Sequence, residues 1–311
     1  MANEKLTRRE VITAKIESTY NVDPTPVTGD SVLVQEPSWS HEGASMIEDS
    51  GVGSTLAKRQ QIFGGTLKQV SFDVMLRGSG AAGTAPEVSA LLRACGMGEA
   101  VSASTSVIYT PVSTGIESCT IYYYQDGILN ILTGCRGNVS FSLEARGAII
   151  ASFTMTGHET APTDTAIITP TYDAVVAEAL VSIPFAIGAY SAIINSISTD
   201  LGNEVVTPPD ISSSDGFGEI RIAGRDVTGQ FDPEVVALAT KNFIADWKAG
   251  ASAAMTTGAI GGTAGNIIQF DWASVYMREV SMGDRESLRA YELGFGAAES
   301  SGDDEITITF T

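Results

Sequence analysis

The sequence predicts a mainly β fold with a minor helical part (α+β), arranged as two tandem units that each carry one flanking helix. Three observations predict it. Apolar and polar residues alternate in short runs, as in Lys68 to Leu76, where Val70, Phe72, Val74 and Leu76 share one face of a half-buried strand. One delimited helix stands among such runs in each half of the 311 residues. Three blocks also recur in the same order. Phe141 to Ala151 is matched by Val280 to Ala290, with Ser142 and Ser281, Leu143 and Met282, Arg146 and Arg285, and Ile149 and Leu288 in step. Phe72-Asp73 returns as Phe231-Asp232, and Pro86-Glu87-Val88 as Pro233-Glu234-Val235. Drifting spacers between ordered blocks point to a tandem duplication with diverged loops. The expected division is an N-terminal arm over 1–30, a first β domain over 31–157, a linker over 158–182 and a second β domain over 183–311.

In chain order, Val11, Ile12, Lys15 and Ile16 have helical spacing and predict a short helix between Leu6 and Ser18. Asn21 to Gly29, with two prolines, is extended and turn-rich. A strand opens at Val32 to Val34. The polar stretch His41 to Gly65 is either a mobile loop or a long hairpin completed by a neighbouring chain. After the strand at Lys68 and the glycine-rich loop Gly78 to Ala85, Pro86 opens a helix that Gly96 closes. Strands follow at Val107 to Pro111, Ser118 to Tyr124, Ile128 to Thr133, Gly137 to Leu143 and Ile149 to Thr156, with a hairpin turn at Asp126-Gly127.

The segment 158–182 lacks a clear period and contains Pro162 and Pro170. Beyond it come a strand at Ala192 to Ile197, a polar loop at Asn203 to Gly218 and a strand at Glu219 to Ala223. Asp232 is the expected cap of a longer helix, with Pro233 first inside and Gly250 past its end. Strands at Ile267 to Trp272, Val275 to Met282, Ser287 to Phe295 and Ile306 to Phe310 complete the chain.

Composition excludes several function classes. The net charge of −19 is uneven: residues 1–157 hold 11 Lys/Arg against 15 Asp/Glu, and residues 158–311 hold 7 against 22. Such a surface lacks the basic stripe that displaces counterions from phosphates, so tight DNA binding is not expected. No apolar run has spanning length, and the polar N-terminus lacks a secretory apolar region, so synthesis in the cytoplasm is expected. Cys95, Cys119 and Cys135 are odd in number and have no metal-site spacing; they read as buried small residues or free thiols.

The catalytic motifs are incomplete. Gly78-Ser-Gly80-Ala-Ala-Gly83 has the spacing of a dinucleotide loop, but hairpin strands follow it instead of alternating strands and helices. Gly29-Asp30-Ser31 resembles an esterase nucleophile block, yet neither His41 nor His158 has the matching base motif. His158-Glu159 lacks companion metal ligands. Gly258 to Gly265 lacks the Lys-Ser/Thr of a phosphate loop. Tyr122-Tyr123-Tyr124 reads as strand packing on two faces, or as a stacking platform without basic neighbours. Asp303-Asp304-Glu305 reads as a solvated acidic turn. No cofactor, metal or catalytic residue is expected.

The opening Ala14 to Pro26, running into Asp30 to Val34, resembles the start of the major tail tube proteins of long-tailed, non-contractile (siphovirus-type) bacteriophages. Leu76 to Pro86, Leu91 to Gly96, Tyr109 to Ser113, Leu201 to Asn203 and Asp303 to Phe310 are similar to the same family, in the same order. The resemblance implies a non-enzymatic structural subunit with two tandem β-sandwich or barrel-like tail-tube units. Its rings would stack into a hollow conduit for double-stranded DNA, which passes without tight binding. The expected partners are the chain itself, a tape-measure protein and tail tip and terminator proteins, with no membrane. The expected location is the virion tail, after assembly in the host cytoplasm. Two units per chain would make each ring a trimer with pseudo-sixfold symmetry.

The residues expected at ring-stacking and intersubunit contacts are Ser45, Glu48, Asp49, Lys58, Arg59 and Gln60, with Asn203, Glu204, Asp210 and Asp215 in the second half. The expected acidic lumen candidates are Glu117, Asp126, Glu144, Asp271, Glu279 and Asp284. Two other classes stay open. One is a receptor- or carbohydrate-binding β-sandwich of a virion, displaying Trp39 and Tyr122 to Tyr124. The other is an enzyme that holds a nucleotide on the Gly78–Gly83 loop.

Overall fold

A computed structural model describes residues 4–311. In its first half the strands are β1 (Glu10–Ile16), β2 (Ser31–Val32), β3 (Val34–Glu42), β4 (Met46–Ile47), β5 (Ile62–Phe63) and β6 (Leu67–Met75). Helix α1 (Ser89–Ala94) follows, then β7 (Met97–Ser102), β8 (Ser106–Pro111), β9 (Cys119–Gln125), β10 (Ile128–Glu144) and β11 (Ile150–Asp164). The second half has β12 (Ala186–Ile187), β13 (Tyr190–Ser191), β14 (Ser196–Asp200), β15 (Asn203–Val206), β16 (Arg221–Arg225) and β17 (Thr228–Phe231). Helix α2 (Phe243–Ala249) precedes β18 (Ser252–Thr256), β19 (Ile268–Arg285), β20 (Leu288–Ala297) and β21 (Thr307–Phe310). The fold is therefore mostly β, in large antiparallel sheets of sandwich-like character, as the alternation predicts.

Several elements differ from the sequence reading. The N-terminal helix is instead β1. Val11, Ile12, Thr13 and Ala14 are all buried, and the strand pairs with β9 along its whole length and with β2 at Ile12 and Thr13. Burial on both faces gives a continuous apolar run that helical spacing imitates. The second helix covers only Phe243–Ala249, capped by the Asn242 side chain, which accepts from the Ala245 N–H. Asp232 does not cap it. Its carboxylate accepts the N–H groups of Asn195 and Ser196 and meets Arg285. Gly250 does close the helix, in the left-handed conformation that favours glycine.

The strand pairs expected at Ile128/Gly137 and Ile267/Val275 are each one long strand, β10 and β19, running through irregularities near Gly134 and Arg278. Strands β7 and β18 were not expected. The His41–Gly65 segment is a long hairpin, tied by the β4–β5 ladder.

Eight strands form one continuous sheet in the order β3-β6-β11-β10-β14-β17-β20-β19. One row of it reads Gln35, Asp73, Ser152, Ser140, Asp200 and Thr228 across β3 to β17. A row one step on reads Phe141, Thr199, Gly229 and Phe295. Because side chains alternate along a strand, these rows lie on opposite faces. The apolar face buries Val70, Phe72, Val74, Val139, Phe141, Phe153, Ile197, Phe231, Leu293 and Phe295. Its core continues through both halves and includes α1, α2, Trp272 and the last strand. Each fully buried side chain of this size contributes about 1.5–3 kcal/mol of hydrophobic stabilisation.

The pairings follow one scheme twice. In the first half β1 pairs β2 and β9, β9 pairs β10, β10 pairs β11, β11 pairs β6, and β6 pairs β3. In the second, β12 pairs β13 and β18, β18 pairs β19, β19 pairs β20, β20 pairs β17, and β17 pairs β14. A separate two-stranded ladder interrupts each half at the same point, β4–β5 after β3 and β15–β16 after β14. Only β7, β8 and β21 fall outside this scheme. Strand β21 bridges β8 of the first half to β19 of the second.

Candidate assembly surfaces

The hairpin from Gly43 to Thr66 is the most exposed segment of the structure. Met46, Ile47, Val52, Leu56, Ile62 and Phe63 are each at least half exposed, and Val52 and Leu56 fully so. Solvated apolar side chains on an extended arm mark a surface that another molecule covers. The predicted stacking residues lie on this arm. Lys58 reaches Glu48 at 3.8 Å and Arg59 reaches Asp49 at 3.3 Å, so ion pairs cross from one arm strand to the other. These pairs are exposed and contribute little to stability, but they hold the two strands in step. Ser45 pairs through its backbone with Gly64 and Gly65, and Gln60 is exposed.

The second predicted loop is brought against the base of this arm. Gly65 has φ +105°, and a Cβ there would lie 2.0 Å from the Asp215 carbonyl oxygen, so only glycine permits the approach. Phe217 packs on Gly43 in the same way. The Asp215 carboxylate accepts from Ser213 Oγ and the Phe217 N–H, and contacts His158 Nδ1 at 2.6 Å. His158 Nε2 meets the Tyr20 hydroxyl at 3.0 Å, and that oxygen accepts the Ile220 N–H at 2.8 Å. Burial pushes the Tyr20 phenol up to about 12. Burial also works against the ionised Asp215, but hydrogen bonds from Ser213, His158 and the Phe217 N–H outweigh it and hold the carboxyl below its ordinary value. Arg136 anchors the neighbouring strand, donating to Glu219 and to the carbonyls of Ile220 and Ile116. Tyr20 and Arg136 were not singled out in the sequence, and His158 was weighed only as a catalytic base or metal ligand, because each lies far along the chain from Asp215.

The other second-half residues differ in setting. Asn203 donates to the carbonyls of Cys95 and Gly137 and so ties the loop to the core. Glu204 is exposed, and Asp210 accepts from the Ser212 N–H and Oγ within its own turn.

The polar face of the eight-stranded sheet is the second surface. Serines, threonines and glutamines line it, with carboxylates that include Asp73 on β6, Glu144 on β10, Asp200 on β14, Glu279 on β19 and Glu292 on β20. Of the six acidic candidates, Glu144 and Glu279 lie on this face. Asp284 lies on β19 in the opposite phase to Glu279 and accepts the Ser287 N–H at the hairpin tip. Glu117 is held bidentately by Arg93 at 2.6 Å, and Asp126 sits in the β9–β10 turn with Arg9 at 2.7 Å. Asp271 accepts from the Gln269 side chain. Asp73, Asp200 and Glu292 escaped the sequence reading, although the alternation in Ser196-Ile-Ser-Thr-Asp200 carries the signal.

The motifs weighed for catalysis have structural settings. Gly78 and Gly80 of the glycine-rich loop bond to Asn266 Oδ1 and the Gly265 carbonyl, and a Cβ on Gly78 would lie 2.0 Å from that carbonyl oxygen. The two glycine-rich loops thus close on each other. Tyr123 is buried in the main core, and Tyr122 and Tyr124 in a satellite cluster on the other face of β9; only Trp39 of the aromatic candidates stays substantially exposed. Asp303 and Glu305 both bind Arg225 at 3.0 Å. No cluster of three or more His, Cys, Asp or Glu suited to a metal occurs among the described residues. No helix among them is long and apolar enough to cross a membrane.

An extended sheet with an exposed apolar arm, and with its glycine-rich motifs packed shut, describes a β-rich structural protein built to assemble. The phage tail tube protein family matches residues 7–311, nearly the whole chain, and the chain belongs to that family. It is therefore a structural component of a virion tail, of a kind that self-assembles into a tube and contacts other tail components. No curated protein matches it.

Proposed function

We propose that the chain is the repeating subunit of the tail tube of a long-tailed, non-contractile phage. Three copies form a ring with pseudo-sixfold symmetry, and the rings stack into a hollow conduit for DNA. The observation that carries this reading is the eight-stranded sheet. It is built from two four-strand halves in the same order, and it is polar and acidic on one face and apolar on the other. Two like units per chain occupy two like places in a ring: the unit expected at 31–157 also takes in β1 and the whole of β11, the second lies within 183–311, and the segment after Asp164 links them.

The polar face lines the lumen, with Asp73, Glu144, Asp200, Glu279 and Glu292 turned toward passing DNA. Carboxylates repel phosphates, and screening confines the repulsion to about 8 Å at physiological salt, so only lumen-facing groups act on the DNA. The β4–β5 arm reaches the next ring, where its apolar residues are covered. A tape-measure protein fills the lumen during assembly in the host cytoplasm, and tip and terminator proteins close the ends.

Electron microscopy of concentrated protein, with classification by rotational symmetry, tests the reading. Hollow tubes of threefold rings are expected. Discrete closed oligomers that never stack would overturn it.

A further inference from the structure

We propose that Lys68 and Asn130 are the two ends of an isopeptide bond that forms within the chain, with Glu159 moving the protons. The modification happens once per chain and is not an enzymatic turnover. It goes beyond the tube reading and does not depend on it.

The three residues come from three neighbouring strands: Lys68 from β6, Glu159 from β11 and Asn130 from β10. Lys68 is 1% exposed and Asn130 3%. Lysine is almost never buried so fully unless it is paired. Its Nζ donates to Asn130 Oδ1 and to Glu159 Oε1, both at 2.7 Å. The Trp39 ring lies over the same nitrogen at 4.1 Å from its centroid. Asn130 Nδ2 donates to Gln125 Oε1 at 3.0 Å, which leaves the carbonyl side of the amide turned toward the lysine. The other Glu159 oxygen, Oε2, faces His41 Nδ1 at 3.6 Å.

Backbone register puts Asn130 there. Leu129 pairs with Thr163 and Ile131 with Thr160, so Asn130 sits at a slip where β11 carries one extra residue. Irregularities of this kind re-aim side chains. The second half shows that the fold does not require an amine at this place. Counting back from the repeated Phe72 and Phe231, Val227 stands where the first half has Lys68, and it is buried.

The cluster holds a nucleophile, an acyl group and a base in contact. A lysine amine attacks a carbonyl carbon once an adjacent base has taken its proton. With a C=O bond of about 1.23 Å, an amine 2.7 Å from Oδ1 lies roughly 3–4 Å from Cγ, near the reacting distance of about 3–3.5 Å. Glu159 first takes a proton from the Nζ ammonium. The Nζ lone pair then forms a bond to Asn130 Cγ. A second proton passes from Nζ through the Glu159 carboxyl to Nδ2. The Cγ–Nδ2 bond breaks and the carbonyl is restored. Nδ2 leaves as ammonia, which carries away the first proton as ammonium and returns Glu159 to the carboxylate. No oxidant or further reactant is needed, and burial keeps water from competing with the amine.

The bond would clasp β6 to β10 across β11. Lys68 lies just past Thr66, where the exposed arm rejoins the sheet, so the clasp would fix the root of that arm covalently.

Intact-mass spectrometry of the purified, denatured full chain tests the proposal. The expected mass is lower than that of the sequence by one ammonia. Proteolysis with tandem mass spectrometry should then find one branched peptide joining the Lys68 segment to the Asn130 segment. Lys68→Arg keeps the charge but removes the amine, and Glu159→Gln removes the proton carrier. Both variants are expected to have the full mass of their own sequences. A wild-type mass equal to that of the sequence would overturn the bond. So would an ammonia loss found in a linear peptide, which marks a cyclised asparagine, or a loss of water, which marks a Lys68–Glu159 amide. A branched peptide formed equally in Glu159→Gln would overturn the role given to Glu159.

Discussion

Phe141 of β10 and Phe270 of β19 meet edge to face, with ring centroids 5.2 Å apart and planes at 65°. The two long strands come from opposite halves, so this contact ties the halves through one core. Aromatic pairs of this kind contribute about 0.5–1.5 kcal/mol beyond the area they bury.

Phe141→Ala is expected to destabilise the whole molecule by about 3–5 kcal/mol, because it removes a buried ring and leaves a cavity between the halves. Denaturant unfolding followed by near- and far-ultraviolet circular dichroism checks this. The two signals should move together; a transition confined to one half would show that the core does not couple them.

Gly229 occupies a place where a side chain has no room. A Cβ there would lie 2.2 Å from the Ser198 carbonyl oxygen and 2.4 Å from Phe295 Cζ. Gly229→Ala is expected to cost about 1–3 kcal/mol through overpacking at the β14–β17 pairing. A drop in the denaturation midpoint, with slower-migrating or aggregated protein, is the readout.

The Asp215 carboxyl is held below its ordinary value, despite burial, by bonds from Ser213, His158 and the Phe217 N–H. A depressed carboxylate stabilises the fold above its unfolded value of about 3.9 and loses that contribution as pH falls through its folded value. Asp215→Asn is therefore expected to be less stable than the parent at pH 7, by about 1–3 kcal/mol. The difference should vanish toward pH 2–3, the acid end of the carboxylate range. Melting temperatures of both proteins across that range provide the test, and a difference independent of pH would reject the linkage.

Leu56→Asp is expected to leave the melting temperature within about 1 °C of the parent, since the side chain is fully exposed and surface changes are usually within ±0.5 kcal/mol. In the tube reading it should reduce stacking strongly while rings still form. Sedimentation velocity and microscopy of the same sample distinguish the two effects. Unchanged tubes would remove the arm from the stacking contact.

Much of the fold was legible where local pattern and burial agree. The alternation from Lys68 to Leu76 became β6, and Gly96 follows the end of α1 as expected, whereas Pro86 lies three residues before the helix, which starts at Ser89. Strand β1 was not legible, because Val11 to Ala14 are buried on both faces and such a run has no period of two. The second helix failed for a different reason. Asp232 and Pro233 have cap-like chemistry, but tertiary contacts to Asn195, Ser196 and Arg285 take the carboxylate. Of the assembly surfaces, the arm was visible as a polar stretch with no core of its own. The polar sheet face was not, because membership depends on register across eight strands, and register is not local information.

The β7–β8 hairpin has no counterpart in the second half, and the arm at β4–β5 is built from other residues than the ladder at β15–β16. A ring of three such chains would therefore present six matching strand sets to its bore but only three of each external feature to its surroundings. Proteins that dock outside or at the end of such a tube would have to rotate by 120° to find an identical foothold, while whatever slides within would meet a repeat every 60°.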